Sequence, residues 1–178
     1  VEVERLSKIK DEIPVTVSER CLQDVEIKVG DFVKVCGEYR SYNKFLQDRS
    51  KLILHLFAKD LQKCDEHGEH INVVKLIGFI CKEPIYRKTP FNREICDVLL
   101  AVNRAYNKSD YLPCIAWGRN ARFVKNIKVG QKVCIIGRIQ SREYQKRIND
   151  NESLIKTAYE ISISKIRIEA ENEKENNV

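Results

Sequence analysis

From residue 72 onward the apolar positions fall into short runs rich in β-branched side chains. Asn72 to Cys81, Ile95 to Arg104, Tyr111 to Trp117, Gln131 to Arg142 and Lys156 to Ile168 each have this character, and the pattern predicts five strands. Between the third and fourth runs, Arg119 to Asn126 sets Ala121 and Val124 at helical spacing and is followed by Val129-Gly130. That segment is a predicted short helix with a glycine stop. Gly78 and Gly137 lie inside strand runs, where a small barrel bends or bulges. Pro84 to Arg93, Asn107 to Asp110 and Lys146 to Ser153 carry Pro, Asn, Asp and Ser and are predicted turns.

Two stretches of the chain echo each other. Val3, Arg5, Asp11, Pro14 and Arg20 recur at an offset of 99 as Val102, Arg104, Asp110, Pro113 and Arg119. Ile27-Lys28-Val29-Gly30, Val33, Gly37 and Ser41 recur at an offset of 100 as Ile127-Lys128-Val129-Gly130, Val133, Gly137 and Ser141. The one-residue slip reads as a loop insertion, and the matches imply two tandem copies of one domain. Five strands with a short helix between the third and fourth is the order of an OB-fold, an all-β Greek-key barrel. The expected layout is a partial first OB-fold at 1–61, a linker at 62–71, a complete second OB-fold at 72–168 and a flexible tail at 169–178. Asn72 to Ala101 precede Val102, whereas only Val1 and Glu2 precede Val3, so the first copy is expected to lack its opening strands. With no methionine in the chain, an additional N-terminal segment is expected to complete that copy, a domain-swapped or incomplete barrel being the alternative.

Composition narrows the function. The 178 residues are 43% hydrophobic and 33% charged, as a globular protein requires. No run of spanning length and no leader with a cleavage site is present, so no membrane partner is expected. The net charge of +6 is unevenly spread, with 19 Lys and Arg against 8 Asp and Glu over residues 72–168 but 12 against 14 over 1–71. Such a basic segment attracts a polyanion, because each neutralised phosphate releases condensed counterions. Seven cysteines without a CxxC pair point to a reducing cytoplasm. Cys36, Cys114 and Cys134 lie in Val/Ile-rich runs and read as small buried hydrophobes. Cys64, His67 and His70 form C-x2-H-x2-H with no second cluster to close a tetrahedron, so the segment reads as polar linker and no metal is expected. The three histidines, the lack of GxSxG and P-loop motifs and the scarcity of carboxylates in the basic copy argue against an enzyme, and no cofactor is expected.

The candidate chemistry is concentrated in VNRAYNKSDYLPCIAWGRNARF, Val102 to Phe123, and in SREYQKR, Ser141 to Arg147. These interleave Arg104, Lys108, Arg119, Arg122, Arg142, Lys146 and Arg147 with Tyr106, Tyr111, Trp117 and Tyr144. A single strand of nucleic acid exposes base faces, which aromatic rings stack, and phosphates, which cations hold. Tyrosines on strands also serve as packing. Trp117 could be buried in the barrel or face a ligand, and Arg104 and Arg119 could be ion-paired to Asp97 or Asp110.

At this point the second copy resembles the bacterial single-stranded DNA-binding protein family over about Asn72 to Ile166. The resemblance is carried by LAVNRAY, AWGRNA, VGQKVCIIGRIQSREY and KTAYEISISKI. It implies base stacking by Tyr106, Tyr111, Trp117 and Tyr144 and phosphate contacts from Arg87, Arg104, Arg119 and Arg142. It also implies binding with little sequence preference, protection of single strands in replication, recombination and repair, and a place in the bacterial cytoplasm at the nucleoid. Four OB-folds are usual in the family, so a two-copy chain is expected to form a homodimer. The first copy departs from the pattern, with Leu6 near the Tyr106 position and Glu12 and Ser18 in place of Tyr111 and Trp117. It keeps Arg5 and Arg20 and adds Tyr42, Lys44 and Phe45, which suggests a structural or weaker-binding copy. The chain ends in Asn176-Asn177-Val178 rather than the family's acidic tip, which leaves recruitment of replication proteins open. The competing readings are a protein-interaction OB module, such as a primosomal or replication accessory factor, and a single-stranded RNA binder.

Overall fold

The computed structural model describes residues 1–23, 25–46, 49–64, 69–147 and 153–170. In chain order the elements are β1 (Glu2–Glu4), β2 (Lys10–Glu12), β3 (Val15–Thr16), α1 (Glu19–Leu22), β4 (Phe32–Leu46), β5 (Arg49–Cys64), β6 (Val74–Ile80) and β7 (Ile85–Lys88). They continue with β8 (Glu94–Arg104), β9 (Lys108–Trp117), α2 (Arg119–Val124), β10 (Lys132–Arg147) and β11 (Ser153–Ile168). The chain forms two compact units, one of residues 1–72 and 139–160 and the other of 73–138 and 161–178. The far halves of β10 and β11 thus group with the N-terminal unit, whereas the sequence places them in the second copy.

The second unit contains the barrel. Its sheet runs β6-β10-β11-β9-β8-β7, with a further pairing between β6 and β8. The extra pairing, Phe79 to Ala101 and Ile80 to Leu100, joins the first strand to the second and closes five strands on themselves. β9 and β11 run parallel, the crossover of a Greek-key barrel, and α2 lies between the third and fourth strands. This is the OB-fold expected from the pattern.

Alternation shapes the strands, broken where Ile95 and Cys96 are buried in succession on β8 and Cys114, Ile115 and Ala116 on β9. Along β6, Leu76, Gly78 and Ile80 are buried while Lys75, Ile77 and Phe79 are exposed. Along β9, Leu112, Cys114 and Ala116 point into the core while Tyr111 and Trp117 are exposed on the other side. Ile80, Leu100, Leu112, Val133, Ile135 and Ile161 are fully buried, each worth about 1.5–3 kcal/mol relative to exposure. Gly118, at φ 52, makes the sharp turn from β9 into α2, and Ala121 and Val124 bury that helix's apolar face. The strands must approach closely for closure. A methyl on Gly78 would run into the carbonyl oxygen of Ala101, and one on Gly137 into that of Ser162.

The N-terminal unit repeats several of these contacts. β1 and β2 pair antiparallel with Val3 opposite Asp11, as Val102 lies opposite Asp110 in the β8–β9 hairpin. β3 runs parallel to β5, which pairs with β4 in a sheet of order β3-β5-β4. A methyl on Gly37 would meet the carbonyl oxygen of Phe57. Asp11 is fully buried and accepts hydrogen bonds from Arg5 Nε at 2.7 Å, Arg5 Nη2 at 2.5 Å and the Ser141 N–H at 2.7 Å. In the barrel unit Asp110, only 2% exposed, is ion-paired with Arg104 at 2.8 Å.

Some local expectations need correction. The segment Pro84 to Arg93, read as a turn, contains β7, because Ile85 to Lys88 pair with β8. Lys108 to Asp110 open β9, pairing with Val102 to Arg104. Residues 61–64, at the border of the expected linker, continue β5 by pairing with Phe32 to Val35. Cys36 is exposed rather than buried, while Cys96, Cys114 and Cys134 are buried. Burial pushes the Cys96 thiol up to about 11, so it stays neutral in the core. His67 of the C-x2-H-x2-H segment lies outside the described residues. Among the described residues no helix is long and apolar enough to cross a membrane, and no group of three or more His, Cys, Asp or Glu side chains could hold a metal.

Gly78→Ala is expected to lower stability by about 1–3 kcal/mol, as overpacking does in a closed core, read as a drop in the urea midpoint without a change in slope. Arg104→Ala leaves Asp110 buried without its cation and should cost about 3–5 kcal/mol. Arg119→Ala, at an exposed position, should change stability by less than about 0.5 kcal/mol in the same urea titration.

Candidate nucleic-acid interface

Cross-strand partners of an antiparallel pair point to the same side of the sheet, so the registers define one face over β7, β8 and β9, on which Ile95 and Ile115 are buried between exposed neighbours. Arg87 lies opposite Ile95, and Ile95 opposite Trp117. In the next row Ile85 faces Asp97 and Asp97 faces Ile115. Leu99 with Pro113 and Ala101 with Tyr111 follow, and Phe79 on β6 pairs with Ala101. The outer face therefore presents Trp117 (38% exposed), Tyr111 (47%) and Phe79 (37%) beside Arg87. Six residues of strand separate Tyr111 from Trp117, about 20 Å at the usual rise, a span that several extended nucleotides would cover.

The sequence candidates divide between places. Arg87, Tyr111 and Trp117 share this face, and Arg119, exposed, follows Trp117 by two residues at the start of α2. Arg119 makes no ion pair among the described residues. Tyr106 stands at the β8–β9 turn, 94% exposed, where it and Asn107 adopt φ values of 62° and 54°. Arg104 lies on the opposite side of the hairpin, in step with Val102 and Asp110, and is held by the buried Asp110 carboxylate. Arg142 and Tyr144 belong to the N-terminal unit. There the Arg142 guanidinium sits 6.0 Å over the Tyr144 ring and 3.8 Å from Glu160 Oε1.

Three of the four candidate phosphate cations thus lie beside carboxylates: Arg87 with Asp97 at 2.8 Å, Arg104 with Asp110 and Arg142 with Glu160. In the N-terminal unit Arg5 is likewise paired with Asp11.

A second cluster braces the β7–β8 hairpin. Tyr86 donates its hydroxyl to Glu94 Oε1 at 2.5 Å, and Arg122 of α2 lies 2.9 Å from Glu94 Oε2. The hydrogen bond from Tyr86 holds the Glu94 carboxyl below its ordinary range, and the same bond raises the Tyr86 phenol. Gly118 N–H donates to the Glu94 carbonyl at 2.9 Å, and Lys125 stacks its ammonium 5.0 Å over the Tyr86 ring. The helix after Trp117 is thereby tied to the strand pair that carries Arg87.

Sequence reasoning missed two aromatics. Phe79 is hidden in a mostly apolar run, and the register with Ala101 shows that it faces outward on the side of Tyr111. Phe91, 88% exposed, lies in the turn between β7 and β8, flanked in sequence by Lys88 and Arg93. An aromatic within a basic turn is the signal that could have found it.

Comparisons with known proteins bear on the barrel as a whole. The model of the Single-strand binding protein family matches residues 71–168, more than half of the chain. Single-stranded DNA-binding protein A of Bacillus subtilis (strain 168) is 33% identical over 84 residues, which are 43% of this chain and 49% of that protein. Single-stranded DNA-binding protein 1 of Streptococcus pyogenes serotype M18 (strain MGAS8232) is 36% identical over 84 residues, 43% of this chain and 65% of that protein. The match therefore spans about half of one of these relatives and just under two thirds of the other. Among solved structures, a deletion mutant of the single-stranded DNA binding protein from Thermus aquaticus aligns with a TM-score of 0.71 at 18% identity. That alignment covers 99% of this chain and 82% of the other, a likeness of fold. On the family match over the closed barrel, the chain belongs to the Single-strand binding protein family.

Proposed function

We propose that the chain binds single-stranded DNA with little sequence preference, by base stacking and phosphate contacts, and has no catalytic role. In the bacterial cytoplasm it would cover strands exposed in replication, recombination and repair. The observation that carries this reading is the outer face of β7, β8 and β9, where exposed Trp117 stands in one row with Arg87 through Ile95 and two residues before Arg119, and exposed Tyr111 lies further along the same face. Aromatic faces accept any base, and cations on the same surface track the backbone, so the chemistry favours a single strand over a duplex. Tyr106 and Tyr144 are further stacking residues in this reading. Arg104 and Arg142 can serve phosphates only in competition with Asp110 and Glu160.

We further propose that residues 1–61 and 72–168 are two copies of one domain, joined by 62–71 and followed by a tail from 169. The repeated buried Arg–Asp pair, the glycine set against a facing carbonyl and the parallel β3–β5 and β9–β11 pairings support that assignment. With two copies per chain, a homodimer would present four.

Titration of a poly-dT oligonucleotide, and separately of an equal-length duplex, is expected to quench the fluorescence of Trp117, the single tryptophan, with the single strand alone. Trp117→Ala should weaken binding by about 1–3 kcal/mol across unrelated sequences. Arg119→Ala should reduce the salt slope by about 0.7, the contribution of one phosphate on a single strand. Binding restricted to one sequence would remove the stacking role. A preference for matched RNA would redirect the reading to RNA, and no response to either would favour a protein-interaction module. Light scattering is expected to give a mass of about twice 20.8 kDa, and a monomer would overturn the four-domain assembly.

A further inference from the structure

The surface assigned to nucleic acid carries a carboxylate in its middle. Asp97 on β8 sits one row from the Arg87, Ile95 and Trp117 row, opposite Ile85 and Ile115. It receives Arg87 Nε at 2.8 Å and Arg87 Nη2 at 3.3 Å. The two side chains are 51% and 37% exposed, so the pair lies in water, where such pairs are weak and exchange partners. The contrast is Asp110, which at 2% exposure cannot release Arg104 without stranding a buried charge.

Resting on the single-strand reading above, we propose that Asp97 limits the affinity of this face by competing with the nucleic-acid phosphate for the Arg87 guanidinium. The planar fork of an arginine fits a carboxylate and a phosphate equally in shape. When a phosphate takes Arg87, two N–H···O contacts to Asp97 are exchanged for two to the phosphate, and no covalent bond changes. The released carboxylate remains beside the bound strand, repels it and draws a cation back from solution. That uptake offsets the counterion the phosphate releases, so Arg87 adds little to the net ion release that drives binding. Arg119, without such a partner among the described residues, contributes its full share. Asp97 thus acts as a positioning residue that keeps the complex reversible, while Trp117 and Tyr111 supply stacking.

The test is a gain of binding, which misfolding does not produce. Asp97→Asn, close to isosteric, is expected to bind a poly-dT oligonucleotide about five-fold more tightly at low salt, the size of effect that an exposed charge pair carries. Its salt slope should steepen by about 0.7 as Arg87 regains a full phosphate contact. Asp97→Ser should do the same. In an Arg87→Ala background the Asp97→Asn gain should shrink to less than half, since no cation remains to be released. Glu26→Gln removes an equal charge from an exposed side chain of the N-terminal unit and should leave the slope unaltered. Unchanged or weaker binding by both Asp97 variants, a gain without a steeper slope, or an equal gain from Glu26→Gln would overturn the role of Asp97 and leave the single-strand reading standing. Failure of the unsubstituted chain to bind the single strand would overturn both.

Discussion

β6 hydrogen-bonds to β10 along one edge and to β8 at its far end, and this double pairing converts a sheet with two open edges into a barrel with a sealed interior. The constraint is steric before it is energetic. Five strands can close around so small a core only if backbones meet where no side chain intervenes, and Gly78 and Gly137 occupy two such positions. Once closed, the barrel commits one side of every strand to a core of Leu, Ile, Val and Cys, and leaves the other side to carry the exposed positions, with Ile95 and Ile115 buried among them. The outer face is a consequence of the inner one.

That dependence places the candidate site. Ala116 and Leu112 are fully buried, so Trp117 and Tyr111, one residue removed along β9, must point outward. The register with β8 and β7 then brings Arg87 beside Trp117 without any direct contact between elements distant in sequence. Charge obeys a different rule. Nineteen cations between 72 and 168 describe a field that attracts a polyanion from a distance. The contacts that hold it depend on which of those cations are already engaged. The structure engages Arg87, Arg104 and Arg142 to different degrees, from the exposed pair with Asp97 to the buried one with Asp110.

What was legible in the sequence follows the same division. The five strands and the short helix were readable because alternation and β-branching are local signals, and the two strand glycines marked where closure bends the sheet. The β7 strand was not, because Ile85 to Lys88 is too short to show a period and sits between two prolines, Pro84 and Pro90; only pairing with β8 makes it a strand. Arg104 carries the same kind of ambiguity. Its spacing from Tyr106 and Tyr111 suggests a shared binding surface, yet its partner is Asp110 across the turn, and parity along β8 sends it to the other side. Phe79 was hidden by a run in which its outward neighbour Ile77 is also apolar. Arg142 and Tyr144 read as one cluster with the rest, but the long hairpin that carries them groups with the N-terminal unit.

The proposed repeat separates the parts of this design that hold the fold from those that act. In both units a glycine faces a carbonyl, a buried aspartate takes an arginine and one pair of strands runs parallel. Each of these is needed by packing alone, since a methyl at the glycine or an unpaired carboxylate in the interior would be costly wherever it occurred. Glu12 and Ser18 stand in the first copy where the second has Tyr111 and Trp117, and nothing in the packing forbids aromatics there, because Glu12 and Ser18 are both exposed. A difference confined to exposed positions, over an interior whose contacts recur, is a difference in what the surface touches rather than in how the chain folds. On the proposed function and the proposed repeat, the second unit carries the rings of Tyr111 and Trp117 for stacking, and the first has a carboxylate and a hydroxyl at the corresponding positions.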